Sequence, residues 1–339
     1  MDRYRRNMTS NRFTRFFSFC KTSYGAISRE GAVKKIDSYK KRTGQCLGIG
    51  EKEDLLKFGH QAGSYEQYPK DPEKTGTDTL DISKLMKQSF DDYSLDGIEI
   101  DIQIDQENRV GEGIKDIYVV HDKLENDLKS YAIEYLKRNT LKKVLRDFIE
   151  AKYYENNKHI YIEIKCDDSE RLDTCDERVI AGTLDVIDGL VKEYSHEDAE
   201  EICDHLAFAS FNYRALEKID KLSKHRYDLF FIAASNRTLG WIATKTIYRH
   251  FNYLGKMLKK TLSESNIITG VFFDPCAIDD FGAVFNRIND TRENEFKLEP
   301  LKIFISTYLL EEDEYFDRIE NEGKNLQNVK GLFFDIKSK

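Results

Sequence analysis

Four short runs in the sequence finish in side chains that can move protons or bind cations. The most informative is Gly97-Ile98-Glu99-Ile100-Asp101-Ile102-Gln103-Ile104. On a strand, successive side chains point to opposite faces, so Glu99, Asp101 and Gln103 share one face and four isoleucines the other. Two placements fit that pattern. The polar face is wetted by solvent, or the strand belongs to a parallel barrel whose strands are buried on both sides. In the second case, inward carboxylates require a metal or a cationic partner. Tyr161-Ile162-Glu163-Ile164-Lys165 puts Glu163 and Lys165 together at a strand end. Val119-Val120-His121-Asp122 leads apolar residues into a His–Asp pair, and Phe58-Gly59-His60 closes an earlier strand. A strand-end histidine by itself is ordinary. Four runs placing ionisable groups at strand ends carry more weight, because a barrel builds its active site there. Glu99, Asp101 and Glu163 form an all-oxygen set suited to Mg²⁺ or Ca²⁺, whereas zinc prefers nitrogen and sulfur. Two histidines and a lysine beside a hard cation are the parts needed to cleave a phosphate ester.

The elements that must position these groups follow from apolar runs. Strands are predicted at Leu55–His60, Gly97–Ile104, Ile117–His121, His159–Lys165, His205–Phe211, Asp228–Ala234, Ile268–Asp274, Leu301–Thr307 and Val329–Ile336. A helix is predicted over Glu177–Tyr194, with Val179, Thr183, Val186, Ile187, Leu190, Val191 and Tyr194 on one face. Leu216, Ile219 and Leu222 mark a shorter one, capped by Asn212. Alternating strands and helices predict a parallel sheet covered by helices. Ile117–His121 follows its neighbour after DQENRVGEG, too short for a crossover helix, so it reads as the return arm of a hairpin. The remaining eight strands give a (β/α)₈ TIM barrel of class α/β, with a hairpin extension after the second strand. The alternative, an open doubly wound sheet, lacks a Gly-rich phosphate turn after any strand.

The order His60, Glu99-x-Asp101, His121-Asp122, Glu163-x-Lys165 resembles the glycerophosphodiester phosphodiesterase family. That family belongs to the phospholipase-C-like phosphodiesterase barrels, which include the spider-type sphingomyelinases D. Its opening H-R-G is matched here by His60-Gln61-Ala62, and its P-E-N-T by Pro72-Glu73-Lys74-Thr75. Ser210-Phe211-Asn212 resembles its S-F-D, and Gly331-Leu332-Phe333-Phe334-Asp335 its closing strand, so the resemblance runs from about Leu55 to Ile336. It implies a metal-dependent phosphoric diester hydrolase acting on a glycerophosphodiester or lysophospholipid-type substrate. Glu99, Asp101 and Glu163 would hold one divalent cation, with Glu73 a further candidate. His60 and His121 would be general base and general acid, and Lys165 would stabilise developing negative charge. A neighbouring hydroxyl of the substrate would attack first, giving a cyclic phosphodiester that water can open. Gln61 stands where the family has an arginine that grips phosphate, and a neutral amide cannot supply that charge. Lys74 stands where it has asparagine. The three substrate-side positions are thus Gln61, Glu73 and Lys74. A catalytically weak phosphodiester-binding protein on the same barrel, or a sphingomyelinase D-like phospholipase, is the alternative.

Composition bounds these readings. The chain has 339 residues, 40% apolar and 34% charged, with mean hydropathy −0.62. That supplies a sizeable core and no stretch for a membrane span, as expected of a soluble globular protein. The net charge of −8 is uneven: residues 1–45 hold 12 basic residues against Asp2, Glu30 and Asp37. The acidic remainder argues against nucleic acid as a partner of the body. The basic N-terminal extension, 1–45, fits contact with an anionic membrane or nucleic acid, an organelle-targeting segment, or a solvated arm. Its removal is expected to leave the phosphodiesterase domain, 46–339, unaffected. No secretory signal is seen, and a cytoplasmic location is favoured. Six scattered cysteines without a C-x-x-C pair are expected to be reduced thiols.

Overall fold

In a computed structural model, residues 26–49, 55–63, 81–104, 117–120, 133–165, 174–233, 260–275 and 280–337 are described. The chain runs β1 (Ile27–Ser28), α1 (Ala32–Leu47), β2 (Leu56–Gly59), α2 (Ile82–Asp91), β3 (Gly97–Ile104), β4 (Ile117–Val119), α3 (Ile133–Arg138), α4 (Leu141–Glu150) and β5 (His159–Ile164). It continues through α5 (Thr174–Val191), α6 (His196–Asp204), β6 (Leu206–Ser210), α7 (Tyr213–Ser223), β7 (Asp228–Ala233), β8 (Gly270–Phe273), α8 (Phe281–Thr291), β9 (Lys302–Ser306), α9 (Glu312–Glu322), β10 (Val329–Phe334) and β11 (Ile336–Lys337).

Strands β2, β3, β5, β6, β7, β8, β9 and β10 pair in parallel and close on themselves, because β2 bonds to β10 on one side and to β3 on the other. This is the (β/α)₈ barrel that the alternation predicts. β4 is the hairpin arm: it runs antiparallel to β3, pairing Ile102 with Val119 and Ile104 with Ile117. It occupies the edge that β2 leaves after Ile98. The arm ends at Val119, short of the predicted His121, which lies outside the described residues. Asn212 caps α7 as expected, its side chain accepting from the Arg214 N–H. Leu216 and Ile219 are buried on that helix, but Leu222 is 43% exposed, so the apolar face stops one turn earlier than its spacing predicts. No described helix is long and apolar enough to cross a membrane.

Two layers of packing result from the period of two along each strand. Outward residues, among them Ile98, Ile100, Ile102 and Ile104, join the core beneath the helices. Inward residues form a second cluster of Phe58, Tyr161, Phe230, Phe272, Phe304 and Phe333 with Ala207 and Ala209. Several of these rings meet edge to face, as in Phe58–Tyr161 at 4.9 Å between centroids. So many rings fit only because other inward positions carry no side chain. At Gly97, opposite Phe58 in register, a Cβ would lie 2.2 Å from that ring. The barrel interior is a solid aromatic floor.

The N-terminal segment is more than an extension. Among the described residues no helix follows β10, and α1 packs beside that strand: Tyr39 packs on Phe334 of β10 and on Tyr315 and Phe316 of α9. Asp37 pairs with Lys57 of β2. Ile27, Ala32, Ile36, Tyr39 and Leu47 are buried, and β1 pairs with β11. The division drawn at residue 45 therefore falls inside α1. Residues 1–25 lie outside the described part. Ile27, Ile36 and Tyr39 alone stabilise the fold by about 5 kcal/mol or more, comparable with the whole stability of a domain. Deleting residues 1–45 should therefore leave an insoluble or unfolded chain, in contrast to the expectation from charge alone. A truncated protein with an unchanged thermal midpoint and circular dichroism would overturn this.

Candidate active site

β3 and β5 lie side by side with Asp101 opposite Glu163 and Glu99 opposite Tyr161. Tyr161 belongs to the aromatic floor, so Glu163, two residues further and on the same face, stands about 6–7 Å above it. Glu99, Asp101 and Glu163 all point inward and are almost wholly buried, at 3%, 0% and 4% exposure. Each offers an oxygen, and those oxygens lie within 4.8 Å of one another. The wetted-face placement of this strand is thereby excluded. Lys165, just past the end of β5, puts its Nζ 2.9 Å from Asp101 Oδ1 and 3.0 Å from Glu163 Oε1.

His60 follows β2 directly. Its Nδ1 is 2.8 Å from Oδ1 of Asp335, a wholly buried residue at the end of β10. Its Nε2 lies 4.0 Å from Glu99 Oε2. The ring is stacked on Tyr308, centroids 4.3 Å apart and planes 16° from parallel. Next along the chain, Gln61 and Ala62 both adopt left-handed backbone, φ 50° and 56°, without being glycine. Such strain persists only where the surroundings dictate it. Here the Gln61 N–H donates to Glu99 Oε2 at 2.9 Å, and Ser89 Oγ donates to the Ala62 carbonyl. The Gln61 residue itself is buried. Val120 N–H donates to the Asp101 carbonyl, which fastens the chain one residue before His121. His121, Glu73 and Lys74 lie outside the described residues. Ser210-Phe211-Asn212 serves as a strand-to-helix corner: Ser210 Oγ donates to the Ile164 carbonyl and accepts from the Asn212 N–H.

Charge in this space is tightly coupled. Burial, then repulsion from Asp101 and Glu163, pushes the Glu99 carboxyl well above its usual range, against the pull of Lys165 and the Gln61 N–H. Burial opposes charge on Lys165, but Asp101, Glu163 and Glu99 outweigh it and hold the ammonium above its ordinary value. Burial lowers His60, and the charge and hydrogen bond of Asp335 together with the charge of Asp101 outweigh it, leaving the imidazole raised. Glu99 Oε1 is buried with no hydrogen-bond partner among the described residues. An orphaned carboxylate oxygen in an all-oxygen trio is what a hard divalent cation would satisfy, so the donor set fits such an ion.

Asp335 and Tyr308 were not singled out as site residues by their sequence context. Asp335 ends the closing strand whose resemblance is visible, but its pairing with His60 joins residues 275 apart in sequence. Tyr308 lies in the loop after β9 and has no motif of its own.

Sequence comparison finds no matching family model and no matching curated protein. Among solved structures, a calcium-dependent phosphoinositol-specific phospholipase C from Pseudomonas sp, a Gram-negative bacterium, is similar over 83% of this chain and 88% of that one. The identity is 9% and the TM-score 0.37.

Asp335→Asn should lower the His60 pKa, because the carboxylate whose charge and hydrogen bond work against burial is gone. An NMR titration of the His60 ring protons checks this, and an unmoved or raised value would contradict the assigned pairing.

Proposed function

We propose that this chain is a metal-dependent phosphoric diester hydrolase of the phospholipase-C-like, glycerophosphodiester phosphodiesterase-like type. Its proposed substrate is a glycerophosphodiester or a lysophospholipid-type lipid phosphodiester. The observation that carries the reading is the convergence of Glu99, Asp101 and Glu163 from two adjacent strands, with His60 beside them. The order of motifs along the chain supports it. Glu99, Asp101 and Glu163 would hold one divalent cation, Mg²⁺ or Ca²⁺. Such an ion would supply positive charge to a phosphate oxygen of the substrate.

The remaining work falls to side chains. Asp335 accepts from Nδ1 of His60, which fixes the ring and leaves Nε2, the nitrogen nearer the carboxylates, to take or deliver a proton. His121 is assigned the complementary transfer. Lys165 is assigned the stabilisation of charge that builds on phosphate in the transition state. The solid floor below closes the barrel from beneath, so the phosphodiester enters from the face where the strands end.

One observation favours a second reading, a phosphodiester-binding protein with little turnover: Gln61 places a buried amide where the resembled family has a phosphate-gripping guanidinium. Turnover of bis(p-nitrophenyl) phosphate separates the two. Hydrolysis should require Mg²⁺ or Ca²⁺, stop with EDTA, and fall about 10²- to 10⁴-fold in His60→Ala. An inert protein over a broad phosphodiester panel, with His60→Ala indistinguishable from wild type, would remove the hydrolase reading. Glu99→Gln should weaken cation binding at least about tenfold by calorimetry, since it removes a charged oxygen ligand. Unchanged affinity in that variant would refute the ligand assignment.

A further inference from the structure

Lys165 sits in an unusual place for a residue whose assigned work is on the substrate. Its ammonium lies within 3.0 Å of an oxygen of Asp101 and of Glu163, two of the three carboxylates of the cluster. It directly follows β5, two residues on from Glu163, so its backbone stays beside those acids while its side chain can move. A lysine ammonium is a compact point charge on a flexible stem, able to swing where a guanidinium fork would be fixed. With three buried acids and one lysine, the ammonium meets part of the charge that burial makes costly. A divalent ion shared by the three acids needs the same oxygens.

We propose that Lys165 is a resident counter-ion of the carboxylate cluster, which must leave Asp101 and Glu163 before a divalent cation can be held, and which thereby sets the affinity of the site. The inference rests on the proposed cation site and adds a property of it. Lys165 gives the barrel a stabilised cation-free form and makes cation binding weaker than three acids alone would provide. Once released, the ammonium is available at the mouth of the barrel to face a phosphate, where Gln61 offers no charge. The cation and the phosphodiester are then bound in that order: the positive charge needed by the second is freed by arrival of the first.

The test compares the full-length wild-type chain with Lys165→Met, which keeps most of the stem and removes the charge. Both proteins are stripped with EDTA and titrated calorimetrically with Mg²⁺ alone and with Ca²⁺ alone at about pH 8, where protons compete least for the carboxylates. The expected result is binding at least about tenfold tighter in Lys165→Met, with a larger rise in thermal midpoint on adding the ion. If the wild-type chain binds the ion and the variant binds it equally or more weakly, the counter-ion role is wrong and the cation site stands. If only the variant binds, the counter-ion role holds in its extreme form and the metal-dependent hydrolase reading falls. If neither binds, both fall.

A second measurement needs only the wild-type chain, in case Lys165→Met does not fold. Amine acylation with acetic anhydride, read by peptide mass spectrometry, should modify Lys165 at least about threefold faster with saturating Mg²⁺ or Ca²⁺ than with EDTA, relative to exposed lysines such as Lys152. Labelling that is unchanged or slower with the ion would overturn the proposal.

Discussion

Three carboxylates share the inside of a closed barrel, and the rest of the site is arranged around that constraint. In water such a trio would be unremarkable. Here each is almost wholly buried, and burial followed by repulsion from Asp101 and Glu163 pushes Glu99 towards holding a proton. The structure responds with charge and dipoles from every side: the Lys165 ammonium, the Gln61 main-chain N–H and the nearby His60 imidazole. The left-handed pair at Gln61 and Ala62 belongs to the same response, because a chain continuing normally after β2 would not aim that N–H at Glu99. Strain in the backbone is exchanged for relief of buried charge.

The aromatic floor makes this balance possible. It sets the carboxylates toward the strand ends and fills the space below them with rings instead of water. The price is exacted at glycines such as Gly97, where any side chain would collide with Phe58. The same strand thus carries a missing side chain at its start and the charged residues above it. Register ties the two together, since a slip of one residue between β3 and β5 would send Asp101 and Glu163 to opposite faces.

Much of this was legible in the sequence because strands write their two faces in alternation. Ile-Glu-Ile-Asp-Ile-Gln-Ile specifies inward and outward residues once a barrel is assumed, and the nine apolar runs coincide with observed strands to within a few residues at their ends. The pairing of His60 with Asp335 was not legible, because nothing local to either residue encodes the closure that brings first and last barrel strands together. Nor was the left-handed turn, which glycine would have announced and Gln61-Ala62 conceals. The role of α1 was hidden by charge: Ile36, Tyr39, Thr43 and Leu47 recur at helical spacing, but lysines and arginines between them give the segment the look of a solvated arm.

That helix has a consequence for how the molecule comes into being. Residues 27 and 336 are partners in adjacent strands, and Tyr39 seats itself against Phe334, so the segment is synthesised long before its docking place. During translation its apolar stripe must wait, uncovered, until β10 and β11 have emerged. Contacts so distant along the chain are slow to form, and exposed apolar surface in the interval invites chaperones or self-association. Docking of this segment is then a latch, closed where the Ile27 N–H donates to the carbonyl of Asp335.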